Sequence, residues 1–493
     1  MSKKIDWILI LILSLALVLR LPQLNGSFWL DEAAQALESA RPLQDQLKIS
    51  GDFQPPLIHF LAHFALYFSQ SEWWLRTVTA LIPGLLTIFF TYQLAKTWQF
   101  RHPWLAPLLL ATNSFHIFYS QELRPYSLPA FFAVLSWWLI IKRKPLKFWA
   151  VTSLLGLYSS YLYPFLFLAQ LIYLILITKL VQKTQSWWQS LAASLWRPLL
   201  VIFLLCLPWL PSFLNQLETG QLVRSELAGW SAVVATPQLK ALSLVGGKFI
   251  FGLLDIEITP WFGLFSLLIL FSFGFLLIKT ILINFNQKVS RQRVLLSLLI
   301  WLLFPVLAAW LVSFFIPILQ PKRVLYLLPG FYLLVTYLVD LKFYSNKLIV
   351  KLSKISLVFS LLLINGYATW AYFTNPELQR ENWRALISEL QQKYPNPNQT
   401  TAIFVYPAPF SPWVWYSNDF PTLSLGQLST EKIPDLGTQL SAKLKTERVI
   451  TFDYLTDLTD PQHQVLTQLT QNGYQPTDLL DYPLIGFVRI YEK

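Results

Sequence analysis

Apolar runs of roughly 18 to 25 residues recur from Trp7 to Tyr372, and each is long enough to cross a bilayer. That pattern leaves few folds open. Inside lipid every backbone amide and carbonyl needs a partner, which a helix supplies within one segment. Barrel strands would read as short alternating segments, and none are seen. Charged residues make up 13% of the 493-residue chain, against about 25% in soluble domains. The chain therefore reads as an all-α polytopic membrane protein. Its formal charge of +12 would suggest nucleic acid in a soluble protein. Here Lys and Arg gather in short turns between apolar runs, as cytoplasmic loops do, and no nucleic-acid partner is expected. The one cysteine, Cys206, allows no intrachain disulfide.

The bias of Lys and Arg toward the cytoplasm sets a topology. Lys3 and Lys4 hold the N-terminus inside, and the run Trp7–Leu24 reads as an uncleaved signal anchor. It delivers Asp31-Glu32 to the outer side. An outer loop, residues 25–76, follows, and within it Pro56–Phe68 reads as a helix lying on the interface. Thr77–Ala95 returns to Lys96 and Arg101, and a helix over Trp104–Phe118 leads out to Gln121–Tyr126. Later turns near Lys142–Lys147, Lys183, Lys288 and Lys347 lie inside, and Asn215–Pro260 reads as an outer loop. The count is about eleven spans. Residues 1–372 form the membrane domain. Residues 373–493 change composition and read as a small α/β extracytoplasmic domain, with strand-like runs at Ala402–Tyr406, Val449–Phe452 and Gly486–Ile490.

Four charged clusters share the outer face: Asp31-Glu32, the loop from Asp52 to Arg76, Glu122 with Arg124, and Lys322-Arg323. Singly, each has a plain reading, such as an interfacial ion pair or a cation snorkelling from a helix end. Together, acids and bases on one face point to a polar cavity. His59 and His63 share a helix face, a spacing that can hold zinc. No acidic residue completes a helical metal motif there, so packing at the aromatic interface is the favoured reading.

Five ordered segments resemble the GT-C membrane glycosyltransferases, closest to the family of protein O-mannosyltransferases, lipid A aminoarabinose transferases and rhizobial lipopolysaccharide transferases. They are Asp31-Glu32 after the first helix, Gln54-Pro55-Pro56-Leu57, Ser71-Glu72 with Leu75-Arg76, Tyr119-Ser120-Gln121-Glu122-Leu123-Arg124-Pro125-Tyr126, and Arg323-Val324-Leu325-Tyr326-Leu327-Leu328-Pro329. Two positions depart from the pattern: Gln54 stands where many relatives have His, and Val324-Leu325 separates Arg323 from Tyr326. The resemblance implies transfer of a sugar from a polyprenyl-phosphate carrier to a glycan, lipid or protein acceptor outside the cytoplasm, with inversion. It implies Asp31 as base, with Glu32 as its partner or alternative. Arg76, Arg124, Lys322 and Arg323 would hold the donor phosphate, and Gln54, Glu122 and Tyr126 would bind or orient substrate. The resemblance assigns no definite cofactor. Relatives differ in metal use, which leaves a divalent ion open, with Glu32, Glu122, His59 and His63 as the available donors and no ligand set assigned. A bacterial inner membrane is the expected location. The competing readings are a transporter or flippase for lipid-linked sugars, an oligosaccharide ligase or polymerase, and a membrane anchor without activity.

Overall fold

A computed structural model describes residues 6–49, 52–181, 187–226, 238–255, 259–284, 289–342, 347–406, 410–417, 421–425, 436–444 and 446–493. Lys3, Lys4, Lys183, Lys288 and parts of the expected loop 215–260 lie outside the described residues.

Six helices among the described residues are long and apolar enough to cross a membrane: Glu72–Thr97, Trp187–Gln221, Pro260–Leu282, Arg291–Val312, Pro321–Asp340 and Leu348–Thr374. Five further apolar helices are shorter, among them Trp7–Val18 and Leu57–Leu66. By length and composition, then, six helices among the described residues qualify as spans.

Two segments differ from the sequence expectation. The run Trp104–Phe118 is two helices, Leu105–Thr112 and Ser114–Tyr119, broken at Asn113. Asn113 has extended backbone, and its side chain accepts the His116 amide at 3.0 Å, the usual work of an N-cap asparagine. Its amide nitrogen donates to the Tyr332 hydroxyl at 2.8 Å, so the break is also satisfied inside the bundle. The second correction concerns Asn215–Pro260, expected as a loop. Helices Leu210–Glu226 and Gln238–Phe251 occupy most of its described residues. Ala241, Val245 and Phe249 recur every four residues and bury one face of the second helix. Gly252, at φ +66, then ends it in the left-handed conformation glycine favours.

The helix Lys347–Thr374 leads into a five-stranded sheet: β1 (Thr400–Phe404), β2 (Thr422–Ser424), β3 (Arg448–Phe452), β4 (Gln475–Tyr482) and β5 (Gly486–Glu492). The order is β2-β1-β3-β5-β4. The first three strands are parallel, and β5 runs antiparallel to β3 and β4. The strand-like runs of the sequence correspond to β1, β3 and β5; β2 is short and β4 largely exposed, so neither carries a strong apolar signature. The helix Trp383–Lys393 buries Trp383, Leu386, Ile387 and Leu390, the i, i+3, i+4, i+7 stripe of an amphipathic helix.

The sheet domain sits on the loop that carries the acidic pair. Leu30 belongs to the same buried cluster as Trp383, Phe404 and Phe452, so residue 30 is packed as part of the sheet domain's core. Arg384 pairs with Glu72 at 2.8 Å, and the Tyr416 hydroxyl donates to the same carboxylate at 2.8 Å while accepting the Phe28 amide at 2.7 Å.

Candidate active site

Asp31 and Glu32 open the helix Leu30–Ala40, where carboxylates favour the exposed amides of the first turn. Adjacent helical residues point about 100° apart, and the two carboxylates meet different surroundings. Glu32 is fully buried. Its oxygens accept from Arg76 Nε at 2.8 Å and from a terminal Arg76 nitrogen at 2.5 Å, and the Leu123 amide donates to Oε1 at 2.6 Å. Arg380 stands 3.8 Å away. Burial alone would raise the Glu32 pKa, but the Arg76 charge and hydrogen bonds outweigh it and hold the carboxyl below its ordinary value. Arg76 is as fully engaged. Its remaining donors reach the carbonyls of Leu24 at 3.0 Å, Gly26 at 2.6 Å and Ser27 at 3.0 Å. All five guanidinium N–H groups are therefore taken within the chain, and none is left for a phosphate. A π turn over Thr77–Leu81, directly after Arg76, lies within the span Glu72–Thr97.

Asp31 is half-buried and makes no hydrogen bond or ion pair among the described residues. Its charge is felt by Arg124, Lys322 and Arg323 from the membrane domain and by Glu381, Tyr406 and Tyr454 from the sheet domain. Lys322 also makes no hydrogen bond or ion pair; its ammonium lies 5.7 Å over the Tyr126 ring, a cation–π contact. Arg323 has one long bond, to the Ile318 carbonyl at 3.4 Å. Asp31 and Lys322 thus have no hydrogen bond or ion pair among the described residues, Arg323 keeps a single long bond, and the two cations feel the Asp31 charge.

Glu122 is 1% exposed, and its Oε2 has no hydrogen-bond partner among the described residues. Burial pushes its pKa up to about 7, against the pull of Arg380 and with a further push from Glu32. Arg124 faces Asp52, each terminal nitrogen 3.3 Å from one carboxylate oxygen. Asp52 leads into a polar cluster: Gln54 donates to Asp52 and Gln35, and Gln35 reaches His59 Nδ1 at 2.8 Å. His63 Nδ1 meets the Ser39 carbonyl at 2.8 Å. Burial lowers the His59 pKa to about 4 and keeps the ring neutral. The two histidines therefore brace the helix Leu57–Leu66 against the Asp31 helix. Gln54 joins this support rather than the space around Asp31, and it touches Arg124 only through Asp52.

The fold has solved counterparts. The Archaeoglobus fulgidus oligosaccharyltransferase, in complex with Zn and sulfate, matches at TM-score 0.53 and 12% identity, covering 98% of this chain and 72% of that one. ArnT from Cupriavidus metallidurans in the apo state matches at TM-score 0.53 and 12% identity, covering 98% and 97%. ArnT from the same organism bound to undecaprenyl phosphate matches at TM-score 0.52, with 12% identity and the same coverage. The chain has a GT-C fold. It is an integral membrane protein, as its apolar helices and these counterparts agree. No protein-family model matches it, and no curated protein does.

Within this GT-C fold, Asp31, Glu122, Arg124, Tyr126, Lys322 and Arg323 are brought together, while Arg76 and Gln54 are held in the scaffold around them. Among the described residues there is no group of three or more His, Cys, Asp or Glu side chains placed to hold a metal ion. Sequence reasoning missed Arg380 and Glu381. Arg380 lies over the Phe118 ring at 4.0 Å and donates to the Phe118 carbonyl at 2.9 Å. Glu381 accepts from Trp383 Nε1 at 2.6 Å and from the Tyr454 hydroxyl at 2.8 Å, and burial raises its pKa to about 7. The available signal was the charged run Arg380-Glu381 just after the last apolar helix.

Proposed function

We propose that this chain is a membrane glycosyltransferase that moves a sugar from a polyprenyl-phosphate carrier to an acceptor hydroxyl. The observation that carries the reading is the split of the acidic pair: Glu32 is locked by Arg76, whereas Asp31 is unpaired among the described residues and its charge is felt by Lys322, which has no ion pair, and by Arg323, which has one long bond. A base must accept a proton and cannot already be held by a guanidinium; Asp31 meets that condition and Glu32 does not. The undecaprenyl phosphate bound to one structural counterpart supports a donor of that class.

The acceptor oxygen forms a bond to the anomeric carbon as the bond from that carbon to the phosphate oxygen breaks. The acceptor proton passes to Asp31, and the electron pair leaves on the phosphate. One displacement inverts the anomeric centre, and one carboxylate suffices because a phosphate leaves without protonation. Lys322 supplies a point charge and Arg323 a planar fork to the departing phosphate. Both act at the membrane edge, where the low dielectric strengthens their field. Arg124, held by Asp52, adds positive charge from the side. We place this chemistry on the outer face of a bacterial inner membrane, with residues 1–372 as the catalytic domain and 373–493 above it.

The test is Asp31→Asn in purified protein in nanodiscs, presented with a panel of labelled polyprenyl-phosphate sugars. Wild type should release polyprenyl phosphate, and the variant should lose at least about a hundredfold while melting like wild type and binding the carrier as well. Equal release by both proteins overturns Asp31 as base. Transport of the labelled lipid across the bilayer without cleavage overturns the transferase reading itself.

A further inference from the structure

Two tyrosines that the displacement does not use pack against the buried cluster holding Leu30, the chain neighbour of Asp31. Tyr406 follows β1 and Tyr454 follows β3. These are the carboxyl ends of paired parallel strands, and ligands of open α/β sheets gather outside such ends. Both phenols feel the Asp31 charge, and Tyr454 also feels Tyr406. Their rings are fixed: Tyr406 lies edge-on to Phe410 at 5.7 Å, and Tyr454 edge-on to Trp383 at 5.2 Å and to Phe410 at 5.8 Å.

The hydroxyls differ. That of Tyr454 donates to Glu381, whose carboxylate also faces the Leu30 amide. Glu381 thus ties the end of β3 to the first residue of the Asp31 helix. The Tyr406 hydroxyl makes no hydrogen bond among the described residues, although the ring is half-buried against the sheet domain's core. A third sign lies in the backbone. Leu455, next to Tyr454, sits at φ +58, a conformation costly for leucine. Strain of this kind persists where the surroundings over-determine it, and it clusters at ligand sites. Asp453, on the other side of Tyr454, is gripped by Arg489 at 2.8 Å.

We propose that Tyr406 and Tyr454 form the acceptor-side wall of the site and take the hydroxyl-bearing ring of a carbohydrate acceptor, with Glu381 as the residue that positions this wall against Asp31. The inference rests on Asp31 as base. The class of acceptor follows from the contrast between the two sides. Arg124, Lys322 and Arg323 face Asp31 from the membrane domain and suit an anion; the phenols offer neutral donors, acceptors and flat apolar faces. A phosphorylated acceptor would be drawn to the basic side and would compete with the donor. A neutral or amino sugar fits the phenol side. The tyrosines exchange no proton in the reaction.

The experiment uses full-length protein in nanodiscs, the labelled donor panel, and octyl hexosides in neutral, amino and phosphorylated forms. One neutral hydrogen bond is worth roughly three- to tenfold. Tyr406→Phe should therefore raise the acceptor KM three- to tenfold, a larger change than in the donor KM. Tyr454→Phe should do the same and lower kcat as well, because it also loosens Glu381. Tyr406→Phe removes a hydroxyl without a protein partner, so folding does not confound it. An unchanged acceptor KM, hydrolysis falling in step with transfer, or preference for the phosphorylated hexoside overturns the wall. Saturation-transfer NMR with the same hexosides reads the contact without turnover, and its absence from wild type also overturns the wall. Asp31→Asn separates the two ideas: retained hydrolysis there defeats the base assignment, whereas the Tyr406 result bears on the acceptor alone.

Discussion

Replacing both members of a buried ion pair with apolar residues is often harmless, because the desolvation cost disappears with the charges. The Glu32–Arg76 pair should break that rule. Removing one partner, as in Glu32→Gln or Arg76→Met, strands a buried charge and costs about 3–5 kcal/mol. In an isolated pair, Glu32→Leu with Arg76→Met would recover most of this. Here Arg76 also satisfies the carbonyls of Leu24, Gly26 and Ser27, and Glu32 also accepts the Leu123 amide. Each buried group left unpaired costs about 1–3 kcal/mol. With four such groups, the double variant should stay roughly 4 kcal/mol or more below wild type. Thermal unfolding in detergent, followed by tryptophan fluorescence and by retention of the monodisperse peak, measures the three variants. A double variant that melts with wild type would refute the claim that the pair holds the acidic loop through its backbone. Loss of carrier binding in Arg76→Met without loss of stability would return Arg76 to the phosphate.

Other consequences are as direct. Lys322→Met and Arg323→Met should each weaken binding of undecaprenyl phosphate roughly tenfold or more, the value of a charge-assisted hydrogen bond; unchanged affinity in both removes them from the phosphate site. Native Glu122 ionises near 7 and unfolded glutamate near 4.5, so the folded protein holds the extra proton between those values. Stability should therefore fall as pH rises from 4.5 to about 7 and level off above. Glu122→Gln should flatten this slope and gain up to about 3 kcal/mol on wild type above pH 7, read from melting curves across pH. Gly84→Ala would set a methyl 2.8 Å from Ser120 Cβ. It should cost about 1–3 kcal/mol by overpacking and lower turnover by shifting the turn that carries Glu122 and Arg124, measured by melting and donor hydrolysis.

The membrane class was legible because it depends on run length and charge content alone, which no tertiary contact can override. Helix boundaries were less so. Asn113 breaks an apolar run that hydropathy treats as continuous, and what makes the break stable is a partner at Tyr332, far along the chain. The segment 215–260 reads as polar, yet its described residues are largely helical, because a helix needs only one buried stripe, here Ala241, Val245 and Phe249. Site residues followed the same division. The charged clusters at the ends of the apolar runs were visible as clusters, but which cations are free depends on who has already claimed them. Arg76 and Arg323 look alike in the sequence. In the fold, one has every donor engaged and the other has a single long bond.

The acidic pair shows why this last step needs three dimensions. Asp31 and Glu32 are chemically near-equivalent neighbours, and local sequence gives no reason to favour either as base. What separates them is the rotational setting of one short helix. Two contacts with no local cause set that phase. Arg76, 44 residues on, pulls position 32 into the membrane domain, and the sheet domain takes position 30 into its own core. With residues 30 and 32 both committed, position 31 is left at the seam, facing cations on one side and phenols on the other. Turning the helix by one residue would bury Asp31 against Arg76 and free Glu32 instead. The sheet domain is therefore part of what makes Asp31 available. Loosening its hold on Leu30 should impair chemistry even where no substrate contact is touched.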